Sequence, residues 1–455
     1  MKHLFLLTLA CAGSLTAVAA PAKVTASAVD QSVEKRLNAI LQSMVKKNSE
    51  DFYEAAAAVY DSTAGDESVF FTLMQKAAQK GNPAAQLWLA RFYAMQAPGD
   101  ASAATKALRL MEQAAAKKYV PAMVEYAGSS HVQNTTEAQQ KRALAVLMDA
   151  CKLGSAKARA LYLMLTGRMS SGGLTQPEIA SELKKKNYYL EEMVAAMQPD
   201  SQSGMVWMVR ASEHGSAFAP FALCQVVSPE EAEGYMKLAV ERHLPAALGH
   251  VGTRMVLAET VKVDGMDEKA HKEGLRMLSL SAMMCTPSSL QMLAYFYANG
   301  QGGAVSKERI YELFRLAHAA GEPDGTAGMG YCMVLGAGCR QDAEAGVALM
   351  EQARDKGAQW VNQALASMYF NGDGVKADMR KAMDALSEDY LNGSRHAYAM
   401  MAALTAIGNE SARPNPSTAR VYLNMAIQNG DMEAQAYYDA FVKEGKWRFL
   451  EELAR

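Results

Sequence analysis

One short element, Ala-x-x-x-Gly, recurs along most of this 455-residue chain at a nearly constant spacing. Clear copies occupy residues 77–81, 150–154, 211–215, 317–321, 353–357 and 426–430. Degenerate copies, in which the alanine or the glycine is replaced, occupy residues 114–118, 239–243, 281–285 and 389–393. Six of the nine steps between successive last positions are 36 or 37 residues, and the other three are 61, 28 and 42. A repeated step of this length indicates a solenoid built from one supersecondary unit.

Each period contains two stretches in which apolar residues recur at helical spacing. Seven residues before the last position of the element every unit is apolar, as at Met74 and Met350, whereas small residues predominate four and eleven residues before it. These three positions share one face of a helix, so small residues let neighbouring helices approach while large ones fill the space between them. Glycine in the last position suits the left-handed turn that ends a helix. The pattern predicts an all-α fold, an α/α superhelical solenoid of about ten helix-turn-helix repeats.

Three units between residues 289 and 393 carry a glycine-rich connection after their first helix. It occupies residues 299–302, 336–338 and 371–374. Gly-x-Gly also occurs in phosphate-binding loops, but here no strand precedes it and no Gly-Lys-Ser/Thr follows. We therefore expect tight interhelical turns at these positions.

The segment from Leu365 to Ala382, LASMYFNGDGVKADMRKA, resembles the Sel-one-like repeat, a relative of the tetratricopeptide repeat with a slightly longer period. That family combines a helix ending in Tyr, a Gly-x-Gly-Val turn, an Asp, and a second helix that starts with Ala and ends in Ala-Ala-x-x-Gly. The match is strong between residues 289 and 393, fair between 70 and 160, and weak between 168 and 285. The resemblance implies an α/α superhelix with an adaptor or scaffold role in protein–protein contacts.

The repeats are interrupted by the 61-residue step, which holds about 25 extra residues starting near Ser170. Pro177 is expected to open a helix that runs to Met197, because proline favours the first position of a helix. This insertion is either an additional packed helix pair that has lost the signature or an excursion that contacts a partner. The 28- and 42-residue steps that follow suggest a bend or break between two parts of the solenoid near residues 170–285.

We expect six segments in the chain, since repeat stacks need caps with one polar face. They are a signal peptide (1–19), N-terminal capping helices (30–64), a first repeat array (68–167), irregular repeats with a helical insertion (168–285), a second array (286–442) and a C-terminal cap (443–455).

The N-terminal residues have the pattern of an export signal. Lys2 is followed by an apolar run from Leu4 to Val18, and Ala17-Val18-Ala19 fits the small-x-small pattern of signal cleavage. The run is shorter than the ~20 residues that a membrane-spanning helix needs. We expect cleavage after Ala19 or Ala22, a periplasmic or secreted protein, and no stable membrane insertion.

Charge and cysteine content narrow the classes of partner. The net charge of −2 offers no electrostatic reason for binding nucleic acid or anionic membranes, and the lysines at 184–186 are expected to form a solvated helix face. Removal of the signal leaves five scattered cysteines, an odd number that does not form a disulfide framework. Cys332 and Cys339 are the pair closest in sequence, and their redox state is left open.

No residue set has the spacing of an active site. The seven histidines beyond the signal form no His-Glu-x-x-His pair, no Gly-x-Ser-x-Gly element occurs, and no paired Cys/His spacing suggests zinc. These histidines are His131, His214, His243, His250, His271, His318 and His396. We therefore predict no catalytic, cofactor-binding or metal site, and the partner-binding residues stay unknown at this stage.

Aromatic residues recur twelve positions after the turn. Tyr93, Tyr297 and Tyr369 occupy this column and are predicted to lie in the core, as the family's packing tyrosine does. Their neighbours Phe92, Phe296 and Phe370 are rotated by ~100° around the helix and are expected to face the groove.

Two functions fit this architecture. The first is an exported scaffold that binds a protein or an extended peptide in its concave groove. The second is an envelope or secreted protein that binds a glycan or peptidoglycan fragment, with weak hydrolase activity. Exposed aromatics with paired carboxylates in the groove would favour the glycan, whereas mixed charges and small residues would favour the protein.

Overall fold

The computed structural model describes residues 31–47, 53–63, 67–96, 101–132, 136–167, 176–198, 201–260, 268–302, 305–358, 360–391 and 397–431, together with 434, 435 and 438. This part of the chain folds into helices, and its one β feature is an isolated bridge between Asn409 and Ala412. The predicted all-α repeat fold is therefore confirmed. None of the described helices is both long and apolar enough to cross a membrane.

Named in chain order, the helices are α1 Gln31–Lys47, α2 Tyr53–Thr63, α3 Glu67–Gln79, α4 Pro83–Gln96, α5 Ala101–Ala116, α6 Val120–Val132, α7 Glu137–Lys152, α8 Ala156–Leu165, α9 Pro177–Lys184, α10 Tyr188–Ala196, α11 Ser201–Glu213, α12 Phe218–Leu223, α13 Pro229–Glu241, α14 Pro245–Thr260, α15 Glu268–Met283, α16 Pro287–Ala298, α17 Lys307–Ala319, α18 Pro323–Leu335, α19 Ala343–Asp355, α20 Val361–Asn371, α21 Met379–Leu391, α22 Ala397–Ile407 and α23 Pro416–Gln428.

The predicted turns all close in the same way where the structure describes them. The last residue of each element has a positive φ, between 56° and 106°, at Gly81, Lys118, Gly154, Gly215, His243, Cys285, Gly321, Gly357 and Gly430. The next residue donates its N–H to the carbonyl five positions earlier, as Asn82 does to Ala77 at 3.0 Å. This is the hydrogen bond of a Schellman cap, and it satisfies a carbonyl at the helix end. The predicted turn at Gly393 lies outside the described residues.

One further turn was missed from the sequence. Lys186 has a φ of 58°, and Asn187 donates its N–H to the carbonyl of Glu182 at 3.3 Å. The 61-residue step therefore contains two units, of 32 and 29 residues. The expected single helix from Pro177 to Met197 is wrong, and the alternative of an additional packed helix pair is confirmed by α9 and α10.

The replaced signature residues explain why this unit escaped notice. Where most units place a buried small residue, α9 places Glu182, and its turn residue is lysine instead of glycine. The buried carboxylate of Glu182 is satisfied by Arg159 Nε at 2.9 Å, Lys185 Nζ at 2.8 Å and Asn187 Nδ2 at 3.1 Å. Three donors offset the cost of burying this charge.

The glycine-rich connections are tight turns, as predicted, and two of them pack against the preceding unit. Gly338 has a φ of 77°, and a Cβ atom there would lie 2.1 Å from the carbonyl oxygen of Lys307. A Cβ on Gly374 would lie 2.5 Å from the carbonyl oxygen of Ala343. In these two connections the second glycine lets the turn contact the first residue of the preceding unit's second helix, whereas a Cβ on Gly302 would meet Tyr297 of its own unit.

The described residues divide into two compact units, here called the N-terminal unit (24–289) and the C-terminal unit (290–455). In the N-terminal unit the last long helix, α15, contacts the early helices α2 and α3. Ser279 on α15 donates to Glu67 on α3 at 2.6 Å, and Arg276 lies 3.6 Å from the carboxylate of Asp61 on α2. The N-terminal unit therefore closes on itself.

In the C-terminal unit the core follows the predicted columns. Met350, Leu386 and Leu423 are fully buried, and they belong to one cluster with Leu365 and Tyr369. Burial in this cluster removes most of their apolar surface from water.

The aromatic prediction was half right. Tyr297 and Tyr369 are buried as predicted, although Tyr93 is half-buried. The expectation that the neighbouring phenylalanines face a groove is wrong for Phe92 and Phe296, which are buried. The first helix of a unit is covered on several sides, so that α4 packs against α1, α3, α5 and α6 and has no bare face at Phe92.

Some of the predicted segments cannot be compared with the structure. The signal peptide (1–19) and the C-terminal cap (443–455) lie outside the described residues. Helices α1 and α2 occupy the segment expected to form the N-terminal cap, and α1 buries Leu37 and Leu41. The capping role, the six-segment division and the bend near residues 170–285 stay predictions.

Candidate functional site

A pocket of about 420 Å³ lies within the N-terminal unit, where segments far apart in sequence meet. Helices α4, α8, α10 and α12 contribute to its wall, together with the turns that precede α14 and α16. Its aromatic lining is Trp88, Tyr188, Tyr189 and Phe218, and its ionisable lining is Arg91, Lys157, Glu192, Arg242 and His243. The volume is within the range of sites that hold small molecules or short segments of a partner.

The repeat register explains how three of these side chains reach one place. Lys157, Tyr189 and Phe218 each stand three residues after a left-handed turn, at Gly154, Lys186 and Gly215. They therefore occupy the same position in three successive units, in the first turn of the first helix.

Capping hydrogen bonds fix the direction of these helix starts. The residue directly after each turn accepts a backbone N–H with its side chain: Ser155 from Ala158 at 3.1 Å, Asn187 from Leu190 at 3.4 Å, and Ser216 from Ala219 at 2.8 Å. Ser and Asn are preferred N-caps because their oxygens satisfy an otherwise unpaired N–H. The side chains two positions further on are thereby held at the pocket.

An ion pair between Arg91 on α4 and Glu125 on α6 supports one wall. Arg91 Nε lies 3.1 Å from each carboxylate oxygen of Glu125, and a terminal guanidinium nitrogen also donates to it. Burial raises the pKa of Glu125, but the charge and hydrogen bonds of Arg91 outweigh it and hold that pKa below its usual range. For Arg91, burial lowers the pKa, and Glu125 reverses the effect and raises it. Both groups stay charged at physiological pH.

A second network, made of hydrogen bonds, links Arg242, Ser216 and Glu192, which come later in the sequence than Arg91 and Glu125. Arg242 Nη1 donates to the carbonyl of Ser212 at 2.9 Å and to the carbonyl of Ser216. The hydroxyl of Ser216 donates to Glu192 Oε1. Burial raises the pKa of Glu192, against the opposing effects of Ser216 and Lys157. Because carbonyl oxygens carry no net charge, these hydrogen bonds leave the positive charge of Arg242 in place.

The aromatic side chains form the rest of the wall. The Tyr188 and Tyr189 ring centroids are 4.1 Å apart, and Lys157 Nζ lies 5.6 Å from the centre of the Tyr189 ring. Trp88 is buried and donates its Nε1–H to the carbonyl of Met283 at 2.8 Å. Phe218 is 48% exposed, which is unusual for a phenylalanine and makes its ring available for contact.

Together these groups give the pocket an excess of positive charge. Besides His243, the described lining has three basic side chains, Arg91, Lys157 and Arg242, and one carboxylate, Glu192. This arrangement can bind an anionic group and pack an apolar one beside it.

The residues singled out in the sequence are mostly elsewhere. The lysines at 184–186 are exposed, as predicted, and Lys185 binds Glu182. His243 lines the pocket, His214 lies 2.8 Å from Glu191, and His318 lies 2.9 Å from Thr326. His250 is exposed, whereas His396 and the side chain of His131 lie outside the described residues.

Cysteines do not form a site in the structure. None of Cys151, Cys224, Cys285, Cys332 and Cys339 forms a disulfide, and the Sγ of Cys339 faces the carbonyl oxygen of Cys332 at 3.7 Å. Within the described ranges, no group of three or more His, Cys, Asp and Glu side chains is placed to hold a metal ion.

Sequence reasoning did not find the pocket, although one signal was present. At the position three residues after the turn the first two units have Ala84 and Pro121, whereas the next three have Lys157, Tyr189 and Phe218. This change from small to large side chains in one column accompanies the pocket. Tyr189 joins the column only when Lys186 is recognised as a turn.

The fold is similar to that of two solved bacterial proteins. One is a protective antigen present in uropathogenic Escherichia coli strains that displays an SLR fold, with 15% identity, a TM-score of 0.42, and coverage of 91% of this chain and 97% of that chain. The other is a Sel1 repeat protein from Oxalobacter formigenes, with 21% identity, a TM-score of 0.39, and coverage of 53% of this chain and 100% of that chain. No curated protein matches the sequence.

The sequence itself carries a recognised repeat. The family model described as Sel1 repeat matches residues 83–119, 287–321, 323–357, 363–384 and 395–431. These segments include four of the left-handed turns described above, at Lys118, Gly321, Gly357 and Gly430. Sel1-repeat proteins are generally scaffolds for protein–protein interaction. Five segments of the chain therefore match the Sel1 repeat.

Proposed function

We propose that this protein is an exported scaffold that holds a segment of another protein in the pocket of the N-terminal unit. The observation that carries the proposal is the convergence of aromatic and cationic side chains from four first helices on one pocket. Phe218 supports it further, because its ring is 48% exposed beside these groups and exposed apolar surface next to polar groups is typical of interaction sites.

The alternative is a glycan or peptidoglycan-fragment binder with weak hydrolase activity. Most glycoside hydrolases place two carboxyl groups on either side of the bond they cleave. The described lining of the pocket contributes one, Glu192, and Ser216 donates a hydrogen bond to it. Mixed charge with a positive excess favours a protein segment over a neutral sugar.

A photo-crosslinking experiment tests the proposal. A photoreactive phenylalanine analogue is introduced at Phe218, and in a control protein at Val206 on α11, which is 57% exposed and does not line the pocket. Both are expressed in the native host and irradiated in intact cells. We expect one discrete protein adduct from position 218 and little or none from position 206.

Two results would overturn the proposal. One is an adduct at position 218 that contains only glycan. The other is the same set of protein adducts from both positions, since that would show unspecific contact with the surface instead of occupation of the pocket.

Export is proposed from the sequence alone. Lys2, the apolar run to Val18 and the small residues before Ala20 support it. The intact mass of the mature protein is expected to match a chain that begins at Ala20, or at Lys23 if cleavage follows Ala22. A protein recovered from the envelope or medium with Met1 still attached would contradict cleavage, and one confined to the cytoplasm would contradict export.

A further inference from the structure

We infer that the N-terminal unit opens where α15 meets the early helices α2, α3 and α4, without unfolding any helix, and that this opening takes the pocket apart. The contact between α15 and these three early helices is here called the seam. Opening of the seam would act on the pocket of the proposed function whatever molecule is bound there.

The last turns of α15 are covered on every side. Its residues 278–283 are all buried, and a helix that is buried all round has neighbours on opposite faces. One neighbour is α14, which approaches so closely that a Cβ atom on Gly252 would lie 2.6 Å from the carbonyl oxygen of Gly274. Other neighbours are α2 and α3, which come much earlier in the chain.

The seam is a thin contact with polar groups in it. It is much less extensive than the contact between α14 and α15. Ser279 donates to Glu67, 212 positions earlier, at 2.6 Å, and Arg276 lies 3.6 Å from Asp61. Polar groups that separate regain hydrogen bonds to water, so breaking these contacts has a small net cost. Apolar surface that is exposed is not compensated in this way.

Helices α14 and α15 can move together as one pair. Their close contact at Gly252 and Gly274 joins them, whereas α14 packs only lightly against α13, before the turn at His243. Rotation of the pair about this turn would break the seam and leave the backbone hydrogen bonds within every helix in place. Openings smaller than global unfolding occur where buried contacts are fewest. We therefore expect the unit to open at the seam first.

The pocket lies across the seam. Trp88 on α4 forms part of one side, whereas Pro245 at the start of α14 and Met284 after α15 form part of the other. The Nε1–H of Trp88 donates to the carbonyl of Met283 at 2.8 Å and so joins the two sides. Movement of α14 and α15 away from α4 would separate these residues. The pocket is therefore complete only while the seam is closed, and its opening would release a bound segment.

Hydrogen exchange at the indole of Trp88 tests this opening in the full chain. The indole N–H belongs to the seam and to a pocket residue, so it exchanges when the seam opens. Labelling with 15N-tryptophan gives one indole signal for each of four tryptophans, and the Trp88 signal is the one lost in Trp88→Phe. We expect its protection factor to be at least about tenfold lower than that of the Ala90 amide, which is in α4 and fully buried.

The urea dependence distinguishes opening of the seam from unfolding. Opening exposes little surface, so exchange of the Trp88 indole should change little at low urea concentrations. Exchange of the Ala90 amide should accelerate steeply, since it requires the helix to unfold.

Two variants and a control assign the exchange to the seam. Arg276→Gln removes the charge paired with Asp61 and is expected to speed exchange at Trp88 about threefold. Ser279→Ala removes a buried hydrogen bond to a carboxylate and is expected to speed it about tenfold. Lys141→Gln breaks an exposed ion pair within α7 and is expected to leave it unchanged. Unchanged exchange of the Ala90 amide shows that each variant is folded.

Two results would overturn the inference. One is equal protection of the Trp88 indole and the Ala90 amide with the same urea dependence, since the pocket would then open only when the unit unfolds. The other is an equal effect of Arg276→Gln and Lys141→Gln. Because Arg276 is partly exposed, Arg276→Gln keeps the test valid even if Ser279→Ala does not fold.

The proposed function is tested separately. A discrete protein adduct at position 218 would leave the scaffold standing even if the seam stays closed. Adduct results that contradict a protein partner would leave the exchange at Trp88 unaffected, because it is measured without any bound molecule.

Discussion

The indole Nε1 of Trp88 donates a 2.8 Å hydrogen bond to the backbone carbonyl of Met283, a residue 195 positions later in the chain. Met283 is the last residue of α15, and carbonyls at a helix end lack a partner within the helix. Trp88 is only 1% exposed and lines the pocket beside Met284. One side chain thus satisfies the end of the last long helix of the N-terminal unit and forms part of the pocket wall.

Trp88→Phe is expected to destabilise the N-terminal unit by about 1–3 kcal/mol, because it leaves the Met283 carbonyl without its donor. The loss of the larger ring adds to this cost. Urea unfolding followed by circular dichroism measures the change. The matched control is Trp207→Phe on α11, a half-buried indole stacked under the guanidinium of Arg210, which is expected to cost less. Equal losses in the two variants would show that the long-range hydrogen bond contributes little.

Lys186→Gly is expected to stabilise the protein by about 0.5–1 kcal/mol. Lys186 has a φ of 58°, a conformation that costs a residue with a Cβ atom more than it costs glycine. Its side chain is exposed, so little contact is lost. Lys184→Gly, at the last residue of α9, should instead destabilise by a similar amount. Glycine there raises the conformational entropy of the unfolded chain and relieves no strain in the folded one. Unfolding midpoints that shift in opposite directions in the two variants would confirm that Lys186 is strained in this turn.

Gly338→Ala is expected to destabilise the C-terminal unit by several times more than Gly357→Ala. Both glycines have positive φ, 77° and 93°, so both substitutions bear the same kind of backbone strain. A Cβ atom on Gly338 would lie 2.1 Å from the Lys307 carbonyl, whereas on Gly357 it would meet nothing within 4 Å. The cost at Gly357 should be about 1 kcal/mol. Similar unfolding midpoints would mean that the turn can move away from α17.

His318 should make the C-terminal unit less stable as the pH falls. Burial lowers the pKa of His318, and the positive charges of Lys356 and Arg315 add to this effect. Its Nδ1 lies 2.9 Å from the hydroxyl of Thr326. Because the unfolded chain takes up the proton more readily, the stability contributed by neutral His318 is present above a pH of about 6.5 and decreases as the pH falls below it.

The comparison of wild type with His318→Gln isolates this contribution from other titrating groups. Glutamine can keep a hydrogen bond to Thr326 but does not titrate. Between pH 7 and pH 5 the wild-type protein should lose more free energy of unfolding than the variant. Parallel pH profiles of the two proteins would contradict the prediction.

The turns show how much of the fold can be predicted from local sequence. Lys118, His243 and Cys285 were identified as turns without glycine, because the small residue four positions earlier, such as Ala114 or Ser281, kept the register visible. At Lys186 both signals are replaced, with Glu182 in the small position. The buried carboxylate is satisfied by Arg159, Lys185 and Asn187, and the contact with Arg159, 23 residues away, forms only when α8 and α9 pack together.

Periodicity and turn residues alone determined that this chain forms stacked helix pairs of the Sel1-repeat kind. These properties depend on hydrogen bonds and helix faces formed by residues a few positions apart, so a short stretch of sequence is enough to predict them. The tertiary structure decided that the N-terminal unit closes on itself and that Trp88, Lys157 and Arg242 meet around one pocket. Closure depends on small packing angles between neighbouring helices, which accumulate over successive units and are set by side-chain volumes on both sides of every contact.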